Sequence, residues 1–166
     1  MLKLVDQNRD IQFYGLDVHQ DSISVSFAST YGEPVFVKHM PNTAEEIAGF
    51  FTERQKPGVV IHTVYEAGGC GFMIHRQLKK LGIHCIIAAP SKITKTSGEV
   101  KNDKRDSLKL TKLLRNHILM GSKELHEVFV PKETAEAMQE VTRLRDFYKR
   151  KVRRSMNKIL ALLRKY

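Results

Sequence analysis

The chain has few of the residues that mark disulfide-rich, fibrous or disordered proteins. Of its 166 residues, two are cysteine, five are proline and ten are glycine. Cys70 and Cys85 belong to no CxxC pair, so neither a disulfide framework nor a cysteine zinc site is expected. Hydrophobic residues make up 42% and charged residues 28% of the chain. This is the composition of a globular protein with enough apolar side chains to form a core.

Long hydrophobic runs are also missing. The first ten residues, MLKLVDQNRD, contain no apolar signal core. The longest apolar stretch, around Cys85–Ala89, is far too short to cross a bilayer. We therefore expect no membrane partner and a reducing, cytoplasmic location.

Acidic residues are scarce relative to basic ones. The chain has 28 Lys and Arg against 18 Asp and Glu, a net charge of +10. Residues 131–166 hold eleven of the basic and only four of the acidic residues. A protein this basic usually binds a polyanion, most often nucleic acid. The change in composition at Pro131 predicts two domains, residues 1–130 and 131–166.

Hydrophobic periodicity predicts an α/β fold for the first domain. Apolar runs and strict alternation indicate strands over residues 12–18, 22–28, 35–38, 59–65 and 83–88. Helical spacing and capping residues indicate helices from Asn42 or Thr43, over residues 72–81, and from Asp103. The polar stretch 91–102 is expected to be a loop. The order βββ-α-β-α-β-loop-α is that of the ribonuclease H-like fold, a mixed sheet with flanking helices.

The predicted fold brings four carboxylates to one edge of the sheet, where they form a candidate metal site. Asp17 and Glu66 end the first and fourth strands, which are neighbours at the centre of such a sheet. Asp103 and Asp106 are three residues apart and share one helix face. Clustered carboxylates need a cation, and oxygen ligands select Mg²⁺ or Mn²⁺. Each residue alone also fits an ordinary turn, helix cap or solvated position.

Several stretches resemble the DEDD transposases of the IS110 insertion-sequence family, recombinases guided by a bridge RNA. The resemblance covers essentially the whole chain and rests on FYGLDVHQDSISVSFA, VYEAGGCGFMIHRQLKKLGIHCIIAAPSKI, GEVKNDKRDSLKLTKLLR and VFVPKETAEAMQEVTRLRD. It implies a RuvC-like domain in which Asp17, Glu66, Asp103 and Asp106 bind Mg²⁺, with Mn²⁺ as a substitute. It also implies DNA and a structured guide RNA as partners, and a nucleoid-associated protein of a bacterium or archaeon.

The chain departs from that family in three places. Asn102 stands where the family usually has Thr, and Ser107 stands where it usually has Ala. Family members continue into a second domain with a catalytic serine, whereas this chain ends at Tyr166. The resemblance therefore predicts a fragment that does not complete recombination alone.

Residues 132–166 are predicted to form one long basic helix. Apolar residues recur every three or four positions from Ala137 to Tyr166, close to a heptad seam, except between Val152 and Ile159, where Ser155 fills the gap. This stripe either packs on the chain's own first domain or forms a helix pair between protomers. The residues predicted to contact nucleic acid are Lys101, Lys104, Arg105, Arg143, Lys149, Arg150, Arg153, Arg154 and Lys158.

Two further interpretations remain open on the sequence. The first alternative to a transposase domain is a non-enzymatic module that binds RNA and dimerises. The second is an autonomous RuvC-like nuclease that resolves junctions. His19 lies two residues after Asp17 and is interpreted as a turn residue rather than a ligand. His62, His75 and His84 lack the spacing of a metal site.

Overall fold

The computed structural model describes residues 10–89 and 103–165. The chain divides into two compact units between Phe129 and Val130. The predicted loop 91–102, including Lys101, lies outside the described residues.

The first unit is built on five strands and three helices. In chain order these are β1 (Asp10–Val18), β2 (Ser22–Ser29), β3 (Val35–Pro41), α1 (Ala44–Thr52), β4 (Val59–Glu66), α2 (Met73–Lys80), β5 (His84–Ala88) and α3 (Asp103–Met120). The sheet order is β3-β2-β1-β4-β5. The first three strands are antiparallel, whereas β4 and β5 run parallel to β1. This mixed sheet confirms the predicted ribonuclease H-like fold.

The two faces of the sheet are covered by different helices. Alternation along β1 directs Ile11 and Phe13 to the face on which Leu110 and Leu114 of α3 pack. Tyr14 points to the opposite face, where its ring meets those of Phe50 and Phe51 in α1. Burial on both faces explains why β1 reads as a nearly continuous apolar run rather than a simple alternation.

Local chemistry sets the ends of the helices. Thr43 caps α1, its hydroxyl accepting a hydrogen bond from the Glu46 backbone N–H at 3.3 Å. After α2 the chain turns at Gly82, whose φ of +75° favours glycine. The predicted helix bounds are therefore correct to within one residue at α2, and Thr43 is the cap rather than Asn42.

One segment was not anticipated by the sequence patterns. Glu127 forms an antiparallel bridge with Ala88, and the Val128 N–H donates to the Ile87 carbonyl at 2.7 Å. Leu125 is buried in the same core as Phe13. The segment has too few residues to show a strand period, so only its pairing with β5 reveals it.

The second unit is the helix α4 (Glu133–Leu163), described by itself. Its 31 residues confirm the prediction of one long helix, which was placed over 132–166. No side chain of α4 is buried. Among the exposed apolar residues of its predicted seam are Val141, Leu144, Tyr148, Val152, Ile159 and Leu162.

The sheet and α3 approach each other closely at Gly15. A Cβ placed there would lie 2.4 Å from the Ser107 carbonyl oxygen and 2.5 Å from the Thr111 nitrogen. The Gly15 N–H donates to the Thr111 hydroxyl at 2.9 Å, and that hydroxyl donates to the Ser107 carbonyl at 2.9 Å. The missing side chain therefore lets the helix backbone sit directly on β1.

Gly15→Ala should destabilise the fold by about 1–3 kcal/mol, because the added methyl group has no space between two backbones. Gly49→Ala in α1 is the matched control, since a Cβ there meets nothing within 4 Å. That control should stabilise by about 0.5–1 kcal/mol. Urea denaturation measures both, and an unchanged midpoint for Gly15→Ala would show that α3 does not depend on this contact.

Candidate metal centre

The candidate site begins at the carboxyl end of β1. Asp17 lies on the same face as Gly15 and Phe13, two and four residues away, and therefore on the face that α3 covers. Its side chain is 18% exposed. Asp17 is thus a largely enclosed carboxylate at the edge of the sheet.

The first turn of α3 supplies two more carboxylates, those of Asp103 and Asp106. Acidic residues are favourable at this end of a helix because the backbone N–H groups there carry partial positive charge. A buried hydrogen bond of 2.6 Å joins the hydroxyls of Ser26 in β2 and Ser107 in α3. Ser107 also donates to the Lys104 carbonyl at 3.0 Å. These contacts, with the one at Gly15, place the start of α3 beside the end of β1.

His19 connects the two elements. Its Nε2 atom lies 3.2 Å from Asp17 Oδ2 and 3.4 Å from Asp103 Oδ1. The turn that carries it is held from both sides: the His19 N–H donates to the Ser22 carbonyl at 2.8 Å, and the Asn42 amide donates to the His19 carbonyl at 2.8 Å. Asn42 therefore does not cap α1 but fixes this turn.

Ligand atoms of Asp17, His19 and Asp103 all lie within 4.8 Å of one another. Within residues 10–89 and 103–165 this is the group of three or more His, Cys, Asp or Glu residues that has the spacing of a metal site. The donor set is two carboxylate oxygens and one imidazole nitrogen. Such a set fits Mn²⁺, and the carboxylates fit Mg²⁺.

The electrostatics of Asp17 also suit a cation. Burial raises the pKa of Asp17, and the charges of Asp103 and Asp106 raise it further, whereas His19 lowers it. The influence of Asp106 shows that this carboxylate lies close enough to repel Asp17. Two of the other three predicted acidic residues, Asp103 and Asp106, therefore act electrostatically on Asp17.

Glu66 occupies the corresponding position on the neighbouring strand. It is the last residue of β4 and is exposed. The parallel register pairs Leu16 with Tyr65, and Asp17 and Glu66 are the next residues on the two strands. They therefore lie side by side at the same edge and on the same face of the sheet. The ligand group defined above does not include Glu66. Its role as a fourth ligand stays a prediction.

The predicted basic residues fall into two sets. Lys104 and Arg105 are exposed in the first turn of α3. The Lys104 ammonium lies 5.0 Å from the centre of the Phe36 ring. The second set lies along α4, where all six members are exposed: Arg143, Lys149, Arg150, Arg153, Arg154 and Lys158. Nucleic-acid contact by either set stays a prediction.

Sequence reasoning undervalued two residues of the site. His19 is the predicted turn residue after β1, and its ring also lies between two carboxylates. Ser107 was noted only as a departure from a family pattern. Its buried partner Ser26 is 81 residues away, and no local pattern reveals such a pair.

The mixed sheet and its flanking helices define the class of ribonuclease H-like proteins. A family model described as a transposase, that of the DEDD transposases of IS110 elements, matches residues 14–166. The chain therefore belongs to the IS110 family of DEDD transposases.

Two curated relatives agree with this assignment. The transposase for insertion sequence element IS1533 of Leptospira borgpetersenii is 31% identical over 153 residues, which cover 91% of this chain and 43% of the relative. The protein y4qE of Sinorhizobium fredii, named as a transposase, is 40% identical over 86 residues, covering 51% of this chain and 20% of the relative. The chain thus spans less than half the length of these relatives.

In the presence of a chelator, the wild-type chain should lose folding stability as the pH rises, and the Asp17→Asn variant should not show this loss. A raised folded-state pKa means that the folded chain holds the proton more tightly than the unfolded chain, whose value is near 3.8. The wild type therefore loses stability as pH rises from below 3.8 through the folded-state pKa, and Asp17→Asn does not.

Thermal unfolding from pH 3 to 7 in EDTA measures this difference. Asp146→Asn, on the exposed surface of α4, controls for the loss of one negative charge. If wild type and Asp17→Asn show the same pH profile, repulsion and burial at Asp17 are too weak to matter.

Proposed function

We propose that this chain is the metal-binding catalytic part of a DNA transposase, acting in RNA-guided strand cleavage and exchange. The observation that carries the proposal is the convergence of Asp17, His19 and Asp103 within 4.8 Å, on a chain of the transposase family. Asp106 and Glu66 complete the proposed DEDD set. Because the chain spans less than half of its relatives, the isolated chain is expected not to complete recombination.

The proposed cofactor is Mg²⁺, with Mn²⁺ as a substitute. When bound, the metal supplies Lewis-acid polarisation of the scissile phosphate and a lowered pKa for an attacking hydroxyl. Asp17 provides the most enclosed carboxylate, and the start of α3 provides Asp103 and Asp106. His19 Nε2 lies 3.2 Å from Asp17 Oδ2 and 3.4 Å from Asp103 Oδ1, and in this proposal it serves as a ligand or orients Asp17.

Asp103→Asn should weaken Mn²⁺ binding at least about tenfold, because it removes one carboxylate ligand of the group. Isothermal titration of the chain with Mn²⁺ measures this, with Asp146→Asn as the matched control. Equal Mn²⁺ affinity in wild type and Asp103→Asn would exclude this site.

A Mn²⁺ soak of crystals locates the ion directly. An anomalous peak among Asp17, Asp103, Asp106 and Glu66 supports the set of four carboxylate ligands. A peak that lies out of reach of Glu66 removes this residue from the set. In a full-length enzyme Asp103→Asn should abolish recombination, and unchanged recombination would contradict its catalytic role.

We further propose that α4 forms the second domain, residues 131–166, and contacts nucleic-acid phosphates. Along the helix, basic residues cluster densely between Lys149 and Lys158, and all of them are exposed. Contacts of this kind position a backbone without reading its sequence. The proposed partners are the DNA and a structured guide RNA, met in the cytoplasm at the nucleoid. No helix in the described part of the chain is long and apolar enough to span a membrane.

Reversing the charge of Arg150, Arg153 and Arg154 should reduce the salt dependence of RNA binding. Each lost phosphate contact lowers the slope of log affinity against log salt by about 0.7 to 0.9, so three contacts lower it by roughly 2. Asp103→Asn is the control and should leave the slope intact. If both variants change the slope alike, metal and RNA binding are not separate.

The exposed apolar stripe of α4 favours a second candidate function, that of a dimerising RNA-binding module without catalysis. A helix whose seam residues are each about half exposed or more gains stability when a second helix covers them. Sedimentation velocity of wild type and Leu144→Asp distinguishes a dimer from a monomer. Metal-dependent cutting of a four-way junction by the chain alone would instead favour an autonomous resolving nuclease.

A further inference from the structure

Two histidines meet on adjacent strands, away from the carboxylates. His62 in β4 and His84 in β5 are partners in the parallel register. Their Nδ1 atoms are 3.3 Å apart and their ring centres 5.0 Å apart. His62 precedes Glu66 by four residues, which corresponds to about 13 Å along a strand. The pair is therefore separate from the metal centre proposed above.

The position of one ring is fixed by the core. The His62 imidazole stacks on Phe13, with ring centres 5.9 Å apart and an angle of 18° between the planes. Phe13 is fully buried, whereas His84 is exposed and reachable from solvent. One ligand is thus held rigidly and the other can be approached by an ion.

The protonation state suits metal binding. Burial, and next the neighbouring His84, lower the pKa of His62 to about 4. The His62 imidazole is therefore neutral at pH 7, with a lone pair for a metal or a hydrogen bond.

The spacing of the two nitrogens agrees with shared coordination. Two nitrogens at about 2.0–2.1 Å from one tetrahedral ion lie roughly 3.3 Å apart. A hydrogen bond between the rings accounts for the same distance when no ion is bound, with one Nδ1–H donating and the other Nδ1 accepting. Binding of an ion to both Nδ1 atoms requires only that the donor ring carry its proton on Nε2 instead of Nδ1, so each ring stays a neutral imidazole.

We propose that His62 and His84 form a second metal site, specific for a divalent transition-metal ion such as Zn²⁺. Imidazole nitrogens suit zinc, copper and nickel, whereas Mg²⁺ prefers the oxygen ligands at the end of β1. In the described part of the chain the pair has no third ligand within the same reach. Two or more coordination positions are therefore left to water or to a ligand from outside.

An ion at this site links the edge strand β5 to β4. Because β4 ends at Glu66, binding would steady the strand that leads to the proposed catalytic centre. This inference does not rest on the proposed transposase function, since it uses only the histidine pair.

Zn²⁺ titration of the chain in excess Mg²⁺ tests the proposal, because Mg²⁺ competes for the carboxylates of Asp17 and Asp103 and not for the histidine pair. The wild type should bind one Zn²⁺, and His62→Gln and His84→Gln should each weaken binding about tenfold or more. His39→Gln, at the exposed edge strand β3, is the matched histidine control and should bind as the wild type does. Asp103→Asn should also retain Zn²⁺ binding.

Imidazole ¹⁵N chemical shifts provide a readout that does not depend on the variants' stability. Zn²⁺ should shift the Nδ1 resonances of His62 and His84 in the wild-type chain. Three results would overturn the proposal: no Zn²⁺ binding in excess Mg²⁺, binding unaffected by either histidine substitution, or binding lost in Asp103→Asn.

Discussion

The approach of α3 to β1 at Gly15 is the constraint on which the rest of the first unit depends. At this point two backbones touch with no side chain between them, and Thr111 links them by accepting from one and donating to the other. The helix cannot move away without breaking the hydrogen bond between Gly15 and Thr111, nor closer without a steric clash. Its first turn is thereby fixed beside the end of β1, where a cation would have to bind.

Polar contacts between α3 and the sheet fix the position of the helix more precisely than apolar packing alone does. Leu110 and Leu114 bury the helix against the sheet, but such contacts tolerate sliding by fractions of an ångström. The hydroxyl pair of Ser26 and Ser107 is directional and fully buried, so it holds one register. A site built from carboxylates on two different elements needs this precision, because metal ligation depends on distance.

Much of the fold could be predicted from the sequence because its signals are local. Alternation in β2, the apolar run of β1 and the helical spacing after Asp103 each specify one element. Their order then specifies the sheet order, which places Asp17 next to Glu66. The features that escaped prediction are those made by pairs far apart in the chain. His62 and His84 come together only through the register of β4 and β5. The segment around Glu127 and Val128 is extended only because it pairs with β5. His19 lies in the turn where it was predicted, but its position between two carboxylates depends on the facing helix α3.

Alternation along β1 gives one short segment three different tasks on a single face. Phe13 packs in the core and stacks on His62, Gly15 leaves room for a helix, and Asp17 places a carboxylate in the candidate site. Deleting or inserting one residue here would move all three to the opposite face at once. The segment therefore tolerates some changes of side chain but no change of length. Insertions and deletions that the turns tolerate should therefore be rare within β1. The length of this strand fixes the positions of all the site residues that it carries.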